Sequence, residues 1–545
     1  GGPGGVRGRG AAASGPLQRA RFSAFCTTPQ NPQAASFGMA AAAAAPGDAT
    51  VERLAANLVS MGFFGPTGRF SGDSLKVARA IHERALLVSK ATGDVRDYAR
   101  AAGTLAWQAA KEGGAASEAE GEAEADATVL DISGGAREFL DAERAGELLE
   151  RLSAAGSLVT HVKLSGKSFG VEAAGVAAER LAAAGERLVS ADLSDTIAGR
   201  PEDEALAAMT AMCKGLASVQ LEELDLSDNA FGEKGVRAAR AAFEAQRSLR
   251  SLKFQNNGIS KEAAAAIAEI LPDESAATLR RLHFFNNMTG DEGAGHLSRL
   301  LAKCRSMEDF RCSSTRVGAA GGAAMAAAMA GATNSLRRLD LADNVFGEQG
   351  AIALAHCIAV QPKLEYAKLG DLGACDRGIE AICAALAHSG CPLRELDLSS
   401  NDLTETSAMP LARLVVLKRA TLERLVLSEN DMGDKAAVVL GGAMEKAGGC
   451  PALASIEMNC CELSRVGALA LAKGALAGDS KPMVSVDDNM VSAAGVAQLE
   501  ELLGDRLGSM EGNDEDGGDS DDGEGTGDAS GAVDMLANAL SGLGV

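Results

Sequence analysis

A repeated pattern of leucines and asparagines constrains this 545-residue chain more than any other feature of its sequence. The pattern is L-x-x-L-x-L-x-x-N, and from Leu224 onward its second apolar position advances by 28 to 31 residues each time. Well-matched copies end at a set of asparagines: Asn229, Asn257, Asn287, Asn344, Asn401 and Asn430. Weaker copies surround Phe310, Leu369 and Ile456, and others begin near Val162 and Leu193 and end near Val486. A register held over roughly a dozen units predicts a solenoid of stacked repeats.

Each residue type in the repeat has a structural reason. Successive residues of a strand point to opposite faces, so the leucines predict a buried face and the residues between them a concave face. The asparagine side chain has both donors and an acceptor, and we expect it to satisfy backbone groups of the turn that follows. A unit of this length leaves room for an outer helix, for example over residues 233–245. The predicted fold is α/β, a leucine-rich-repeat horseshoe of the ribonuclease-inhibitor type over residues 128–503.

Two segments precede this domain in the sequence. Residues 1–46 are rich in glycine, alanine and proline, and their composition predicts disorder. The first 38 residues contain four arginines and no acid, which leaves open a transit peptide or an extension upstream of a true start at Met39. Residues 47–112 have apolar residues at helical spacing and are predicted to form a small helical domain.

Acidic segments flank the repeats. Residues 113–127 read as an acidic linker, and residues 504–545 as a mostly disordered acidic tail. Within that tail, residues 511–530 contain nine acids and no lysine or arginine. The net charge of −22 argues against a nucleic-acid or anionic-membrane binder and favours a basic protein partner.

Sequence motifs for catalysis are weak. Gly166-Lys167-Ser168 resembles the end of a phosphate-binding loop, but His161 stands where the first glycine is required. The histidines lack metal-ligand spacing, and no serine or cysteine lies in a nucleophile motif, so we expect no metal, no cofactor and no self-contained catalysis. No apolar run is long enough to span a membrane, and the scattered cysteines suit reduced thiols in the cytosol.

Two turns carry polar residues that a plain repeat does not need. The loop over residues 194–204 is longer than the usual turn and holds Arg200 among acids. In the doubled asparagine Asn256-Asn257 only Asn257 is required by the repeat, so Asn256 is predicted to project from the sheet edge. Asn256 is then either a surface amide without a role or a functional residue, and Asn286-Asn287 repeats the arrangement.

These segments resemble the Ran GTPase-activating proteins, especially the plant type. The stretches that carry the resemblance are LSDTIAGRPEDEAL, LDLSDNAFGEKGVRA, NNGISKEAA, NNMTGDEGA and FRCSSTRVG, in the order in which the family has them. VERLAANLVSMGFFGPTGRFSGDSLKVARAIHERA, within residues 47–112, is similar to the helical WPP domain with which plant members target the nuclear envelope. The Trp-Pro-Pro tripeptide of that domain is absent, because residues 44–47 read Ala-Ala-Pro-Gly.

The resemblance implies a GTPase activator that acts on the GTP form of Ran and supports nucleocytoplasmic transport. It implies that Asn256 orients the catalytic glutamine of Ran, and that Asp195, Arg200 and Asn286 contact or position Ran. It also implies a cytoplasmic protein that reaches the outer nuclear envelope through anchor proteins bound to residues 47–112. The alternative is a leucine-rich-repeat scaffold or inhibitor without activating activity. An innate-immune sensor is disfavoured, because residues 47–112 are too short for a nucleotide-binding module.

Overall fold

The computed structural model of the protein describes residues 127–514, which form a succession of strand, turn and helix units. The predictions for residues 1–46 and 47–112, for nearly all of the linker, and for the tail beyond residue 514 lie outside the described residues. The repeats predicted over residues 128–503 lie within the described residues.

The strands of the described chain are all three residues long. In chain order they are β1 (Val129–Asp131), β2 (Glu138–Leu140), β3 (His161–Lys163), β4 (Lys167–Phe169), β5 (Ser190–Asp192), β6 (Glu223–Asp225), β7 (Ser251–Lys253), β8 (Arg281–His283), β9 (Asp309–Arg311), β10 (Arg338–Asp340), β11 (Tyr366–Lys368), β12 (Glu395–Asp397), β13 (Arg424–Val426), β14 (Ser455–Glu457) and β15 (Met483–Ser485). Thirteen of them form one sheet in which strand order follows the chain, and β2 and β4 form a separate pair. All the pairings are parallel, as predicted for the horseshoe.

The register of the sheet follows the sequence repeat. Leu224 lies opposite Leu252, Leu252 opposite Leu282, and Leu282 opposite Phe310. These central residues are at most 1% exposed, because each strand presents them to the layer of helices. The stacked apolar positions therefore form one continuous core, as expected for a solenoid that buries its hydrophobic face between neighbouring repeats.

Helices return the chain from the end of one strand to the start of the next. They are α1 (Ala142–Leu148), α2 (Glu150–Ser153), α3 (Val171–Ala184), α4 (Glu202–Gly215), α5 (Gly232–Ala238), α6 (Arg240–Glu244), α7 (Lys261–Ile270), α8 (Asp273–Thr278), α9 (Gly290–Leu301), α10 (Ala319–Ala332), α11 (Gly347–Ala359), α12 (Cys375–His388), α13 (Ala408–Lys418), α14 (Gly433–Lys446), α15 (Arg465–Ala475) and α16 (Ala493–Leu503). None of these described helices combines the length and the hydropathy needed to cross a bilayer.

Small residues let neighbouring helices approach closely. At Gly215 of α4, an added Cβ would lie 2.5 Å from the carbonyl oxygen of Ala178 in α3. A side chain at this position would push the two helices apart, so glycine is required by the packing. The abundance of glycine and alanine in the sequence thus has its explanation in the helix layer.

The predicted asparagine ladder is confirmed. The six predicted ladder asparagines are between 0% and 6% exposed, and Asn489, 3% exposed, extends the set. Asn257 shows the pattern: its Nδ2 donates to the carbonyl of Leu226 at 2.8 Å, and its Oδ1 accepts the backbone N–H of Asn229 at 2.7 Å. Each ladder side chain therefore bonds the turn of the preceding repeat to its own.

A partial repeat follows the last helix. Leu507 forms a parallel bridge with Val484 of β15, and the side chain of Asn513 exchanges two hydrogen bonds with the backbone of Val491. Residues 504–514 therefore cover the end of the sheet, although the predicted boundary placed them in the tail. The contacts satisfy edge groups that would otherwise face solvent.

Candidate functional site

The residues just before the ladder positions form a row along one edge of the sheet, which we term the rim row. Its members are Asp195, Asp228, Asn256, Asn286, Ser314, Asp343, Asp371, Ser400, Glu429, Cys460 and Asp488. Each has a φ between 52° and 60°, in the left-handed region, where asparagine and aspartate are more frequent than other non-glycine residues. The turn geometry therefore explains why polar residues recur here without any reference to function.

Asn256 and Asn286 are the two asparagines of the rim row, in which most of the other residues are aspartate or glutamate. Both are exposed, as predicted for Asn256 from the doubled asparagine. The Nδ2 of Asn286 donates to the Oδ1 of Asn256 at 3.0 Å, and the Nδ2 of Asn256 donates to the Oδ1 of Asp228 at 3.0 Å. This relay holds the Asn256 amide in one orientation and leaves a second N–H and a second lone pair for a partner.

The same two asparagines line a groove along the sheet edge, which we term the rim groove. It extends from Asn256 to Asp371 and has a volume of about 630 Å³. Its outer side carries two exposed apolar side chains, Met288 at 53% and Val345 at 68%, with Arg316 also lining the groove. Exposed apolar side chains rimmed by polar groups are typical of protein–protein contact surfaces.

Acidic residues lie toward the far end of the rim groove. Burial, together with the negative charges of Asp343 and Asp402, raises the pKa of Asp371. Like charges at this spacing disfavour one another, and a basic partner would relieve that repulsion. The rim groove is therefore an open surface with an uncharged amide end and an acidic end.

Arg200 and Asp195, by contrast, lie beside the β2–β4 pair. The Arg200 side chain is 16% exposed and pairs with Glu204 at 2.9 Å. Its guanidinium also donates to the hydroxyl of Ser168 at 3.0 Å and to the carbonyl of Ser168 at 2.9 Å. These contacts fasten the loop to β4 and α4, so they favour a positioning role for Arg200 over direct contact with a partner.

Asp195 is held by an arginine that the sequence did not single out. Arg137 donates to both carboxylate oxygens of Asp195, at 2.7 and 2.6 Å. Next to this pair, the ring of Phe139 is 58% exposed and its centroid lies 5.1 Å from the guanidinium carbon of Arg200. β5 precedes β7 by two strands, which corresponds to about 10 Å across a sheet. The structure thus brings Asn256 and Asn286 together, and Asp195 and Arg200 together, at two places on one edge.

The Gly166-Lys167-Ser168 tripeptide is engaged in internal contacts. Lys167 is 6% exposed, and its ammonium donates to the carbonyls of Gly134 at 2.8 Å and Ala136 at 3.3 Å. Its charge is therefore not presented to a phosphate group. Across residues 127–514, no three histidine, cysteine or carboxylate side chains cluster as a metal site.

Sequence reasoning missed Met288, Arg316 and Val345. Met288 follows Asn287, Val345 follows Asn344, and Arg316 follows Thr315, which holds the ladder position of the repeat between them. No signal for them was present in the sequence, because the residue at this position varies between repeats: it is glycine at Gly258 and Gly373, but alanine, aspartate and glutamate at Ala230, Asp402 and Glu462.

Comparison with known proteins adds to this geometry. The sequence family described as "Leucine Rich repeat" matches residues 220–238, 245–268, 333–355, 391–412 and 420–441. The chain is 38% identical to RAN GTPase-activating protein 2 of Arabidopsis thaliana over 395 residues, which cover 72% of this chain and 71% of that protein. It is 39% identical to RAN GTPase-activating protein 1 of the same plant over 162 residues, 30% of each chain.

A ribonuclease inhibitor shares the repeat at lower identity. The inhibitor from Sus scrofa is 26% identical over 307 residues, covering 56% of this chain and 65% of that protein. The match agrees with the predicted ribonuclease-inhibitor type of horseshoe.

Proposed function

From the premise that this chain belongs to the Ran GTPase-activating proteins, we propose that the rim groove is the surface through which it stimulates GTP hydrolysis by Ran. The observation that carries the proposal is Asn256, an exposed amide held in one orientation by Asn286 and Asp228. The alternative of a scaffold or inhibitor without activating activity is not favoured, since the activators share more identity with this chain than the ribonuclease inhibitor does.

Asn256 is suited to orient the catalytic glutamine of Ran in its GTP form. Hydrolysis requires a water held in line with the γ-phosphate, and a glutamine of the GTPase supplies that orientation. The free N–H and lone pair of the Asn256 amide match the carbonyl and amino groups of a glutamine side chain. The activator would thus contribute orientation, while the reacting groups belong to Ran and its nucleotide.

Asn286 and Arg200 would act through their neighbours. Asn286 donates to the amide oxygen of Asn256 and so restricts the rotation of that side chain. Arg200 fixes the loop that presents Asp195 at the N-terminal end of the rim row, beside Phe139 of β2. The carboxylate of Asp195 is held by Arg137 at 2.6 Å, so a basic residue of Ran would share or replace that contact.

Electrostatic attraction would increase the rate at which this acidic protein associates with Ran. The net charge of −22, the acids of the rim row and the acidic residues 511–530 all attract a basic partner. Steering of this kind raises the association rate and weakens as salt is added. We expect the association rate with Ran to fall between 50 and 300 mM salt, by roughly an order of magnitude.

Single-turnover hydrolysis of GTP on Ran, with and without the protein, tests the proposal. We expect Asn256→Ala to retain binding to Ran-GTP and to lose stimulation by about 10²- to 10³-fold, the usual effect of removing one positioning group. Asn286→Ala should lose less, because Asn256 remains and only its restraint is removed.

Ser400→Ala provides a matched control, since Ser400 occupies the same left-handed rim position outside the groove. It should leave stimulation unchanged. If Asn256→Ala stimulates Ran at the wild-type rate while Asn286→Ala gives no stimulation, the orienting amide is Asn286. If neither substitution matters, the rim groove is the wrong surface.

We further propose that the protein is cytoplasmic and reaches the nuclear envelope through anchor proteins that bind residues 47–112, in support of nucleocytoplasmic transport. The WPP-like sequence of that segment supports the proposal. Deletion of residues 47–112 should remove a fluorescent fusion from the envelope and leave stimulation of Ran intact. Loss of stimulation in the deletion would assign that segment to the activating unit instead.

A further inference from the structure

Three consecutive repeats present a cation between two apolar side chains on the outer side of the rim groove. Met288, Arg316 and Val345 each directly follow a ladder position, so they lie side by side on neighbouring turns. We term this set the outer row. Gly258 and Gly373, at the same position in the flanking repeats, carry no side chain and bound the outer row at both ends. The outer row is thus a short strip that could insert into or pack on a partner surface.

Arg316 adopts a backbone conformation that disfavours its residue type. Its φ is 58°, in the region where Gly258 and Gly373 stand at 61°. A side chain at such a position costs folding stability that glycine would not cost. Ala230, Asp402 and Glu462 share this conformation at the same position of other repeats, so the strain belongs to the turn and would be relieved by Arg316→Gly.

The guanidinium of Arg316 has no ionic partner among residues 127–514. Within the described part of the chain, no carboxylate lies within salt-bridge distance of its guanidinium, and the side chain is exposed. Most arginines of the neighbouring strands are paired, as Arg281 and Arg311 are with Asp309. An unpaired arginine in a protein of net charge −22 is therefore available to a partner.

We propose that the outer row is a docking strip in which Arg316 pairs with a carboxylate on the surface of the GTPase, while Met288 and Val345 pack around that ion pair. The proposal rests on the proposed function and names a contact that sets affinity. Arginine surrounded by side chains that exclude water is a frequent source of binding energy at interfaces. The two apolar neighbours remove solvent from the ion pair on docking and thereby strengthen it.

Arg316 is separated from the orienting amide. It follows β9, and Asn256 follows β7, so two strand spacings or about 10 Å lie between their turns. The relay that ends at Asn256 passes through Asn286 and Asp228 and does not involve Arg316. The outer row therefore belongs to docking, and its loss should change the KM for Ran-GTP and leave kcat in place.

Arg316→Gly separates this role from a structural one. The substitution removes the charge and relieves the left-handed strain, so the variant should melt at a higher temperature than the wild type. It should also raise the KM for Ran-GTP by about 10- to 100-fold, the range typical of a central interface arginine. Greater stability with weaker binding cannot arise from a folding defect.

Glu462→Gly is the matched control, because Glu462 holds the same turn position outside the rim groove, with a φ of 57°. It should raise the melting temperature and leave KM unchanged. Met288→Ser and Val345→Ser should raise KM without a change in kcat. Arg316→Lys should bind Ran-GTP more tightly than Arg316→Gly and less tightly than the wild type. Lysine keeps the positive charge but lacks the planar guanidinium group that can form two hydrogen bonds with one carboxylate.

The outcomes distinguish this inference from the proposed function. If the wild type stimulates Ran and Arg316→Gly has the wild-type KM, the docking strip is refuted. A fall in kcat at constant KM would assign Arg316 to the nucleotide phosphates instead, which also overturns the inference. If the wild type does not stimulate Ran at all, the proposed function fails. Affinity for Ran loaded with a non-hydrolysable GTP analogue then tests the strip independently, and equal affinity of wild type and Arg316→Gly refutes it.

Discussion

Asn257→Ala should separate the ladder from the rim, because Asn257 is buried and its neighbour Asn256 is exposed. The side chain of Asn257 is 0% exposed and connects two repeats. Its Oδ1 accepts the backbone N–H of Asn229 at 2.7 Å, and its Nδ2 donates to the carbonyl of Leu226 at 2.8 Å. Alanine removes both hydrogen bonds.

The two backbone groups that lose a hydrogen bond in Asn257→Ala differ in whether they keep another partner. The carbonyl of Leu226 keeps a second donor, because the Nδ2 of Asn229 also reaches it at 3.0 Å. The N–H of Asn229 loses the acceptor provided by Asn257 in the interior of the turn, which costs about 1–3 kcal/mol. A further contribution of about 1 kcal/mol comes from the lost bond to Leu226, so we expect a total near 2–4 kcal/mol.

Urea unfolding and hydrogen–deuterium exchange together measure this effect. Solenoids unfold in parts when one interface is weakened, so exchange should increase first in the turns that contain Asn229 and Asn257. Asn256→Gly is the control, since glycine tolerates the left-handed φ of 52° at that position. Equal urea midpoints and equal exchange for Asn257→Ala and the wild type would refute the account of the ladder.

Two other substitutions follow from the geometry. Arg200→Ala should lower the free energy of unfolding by about 2–4 kcal/mol, because it removes the ion pair with Glu204 and leaves buried acceptors behind. It should also raise the KM for Ran-GTP, and a variant that melts like the wild type would contradict the positioning role. Burial alone would raise the pKa of Asp309, but contacts with His283 and Arg311 hold it well below its usual range. The stabilisation that accompanies this lowered pKa is fully present above about pH 4, the pKa of an aspartate in the unfolded chain. It is lost as the pH falls toward the pKa of Asp309 in the folded protein. Asp309→Asn should therefore destabilise the protein at pH 7 by about 1–3 kcal/mol, with a smaller difference at pH 3 in urea unfolding.

The repeat could be predicted from sequence because its information is local. Leucine spacing determines which residues of each strand face inward, and the ladder asparagine follows three residues after the last buried leucine, as in Leu226 and Asn229. The exposure of Asn256 followed from the same register, since a residue next to a buried ladder position must point away. One pattern therefore predicted the sheet, the ladder and the edge on which Asn256 lies.

The contacts of Arg200 and the isolation of Arg316 could not be predicted in this way. Arg200 bonds to Ser168 and Leu140, 32 and 60 residues earlier in the chain, through the β2–β4 pair that the repeat pattern does not encode. The lack of a partner for Arg316 depends on where every nearby carboxylate lies in three dimensions. Properties that depend on the meeting of distant segments leave no periodic trace in a sequence.

The charge of the rim row gives the sharpest test of the role of Asn256. Aspartate suits the left-handed turn as well as asparagine does, as Asp228 and Asp343 show, so Asn256→Asp should preserve the backbone. The new carboxylate would face the carboxylate of Asp228, from which the amide nitrogen now stands 3.0 Å away, and would add negative charge to the surface proposed to act on Ran. At about 4 Å, two like charges repel by roughly 1 kcal/mol in water and about 4 kcal/mol near a protein surface. Stimulation of Ran should therefore fall at least as far as in Asn256→Ala, and salt should restore part of it by screening. If Asn256→Asp stimulates hydrolysis like the wild type, the amide is not required, and the turn conformation alone explains why asparagine occupies this position.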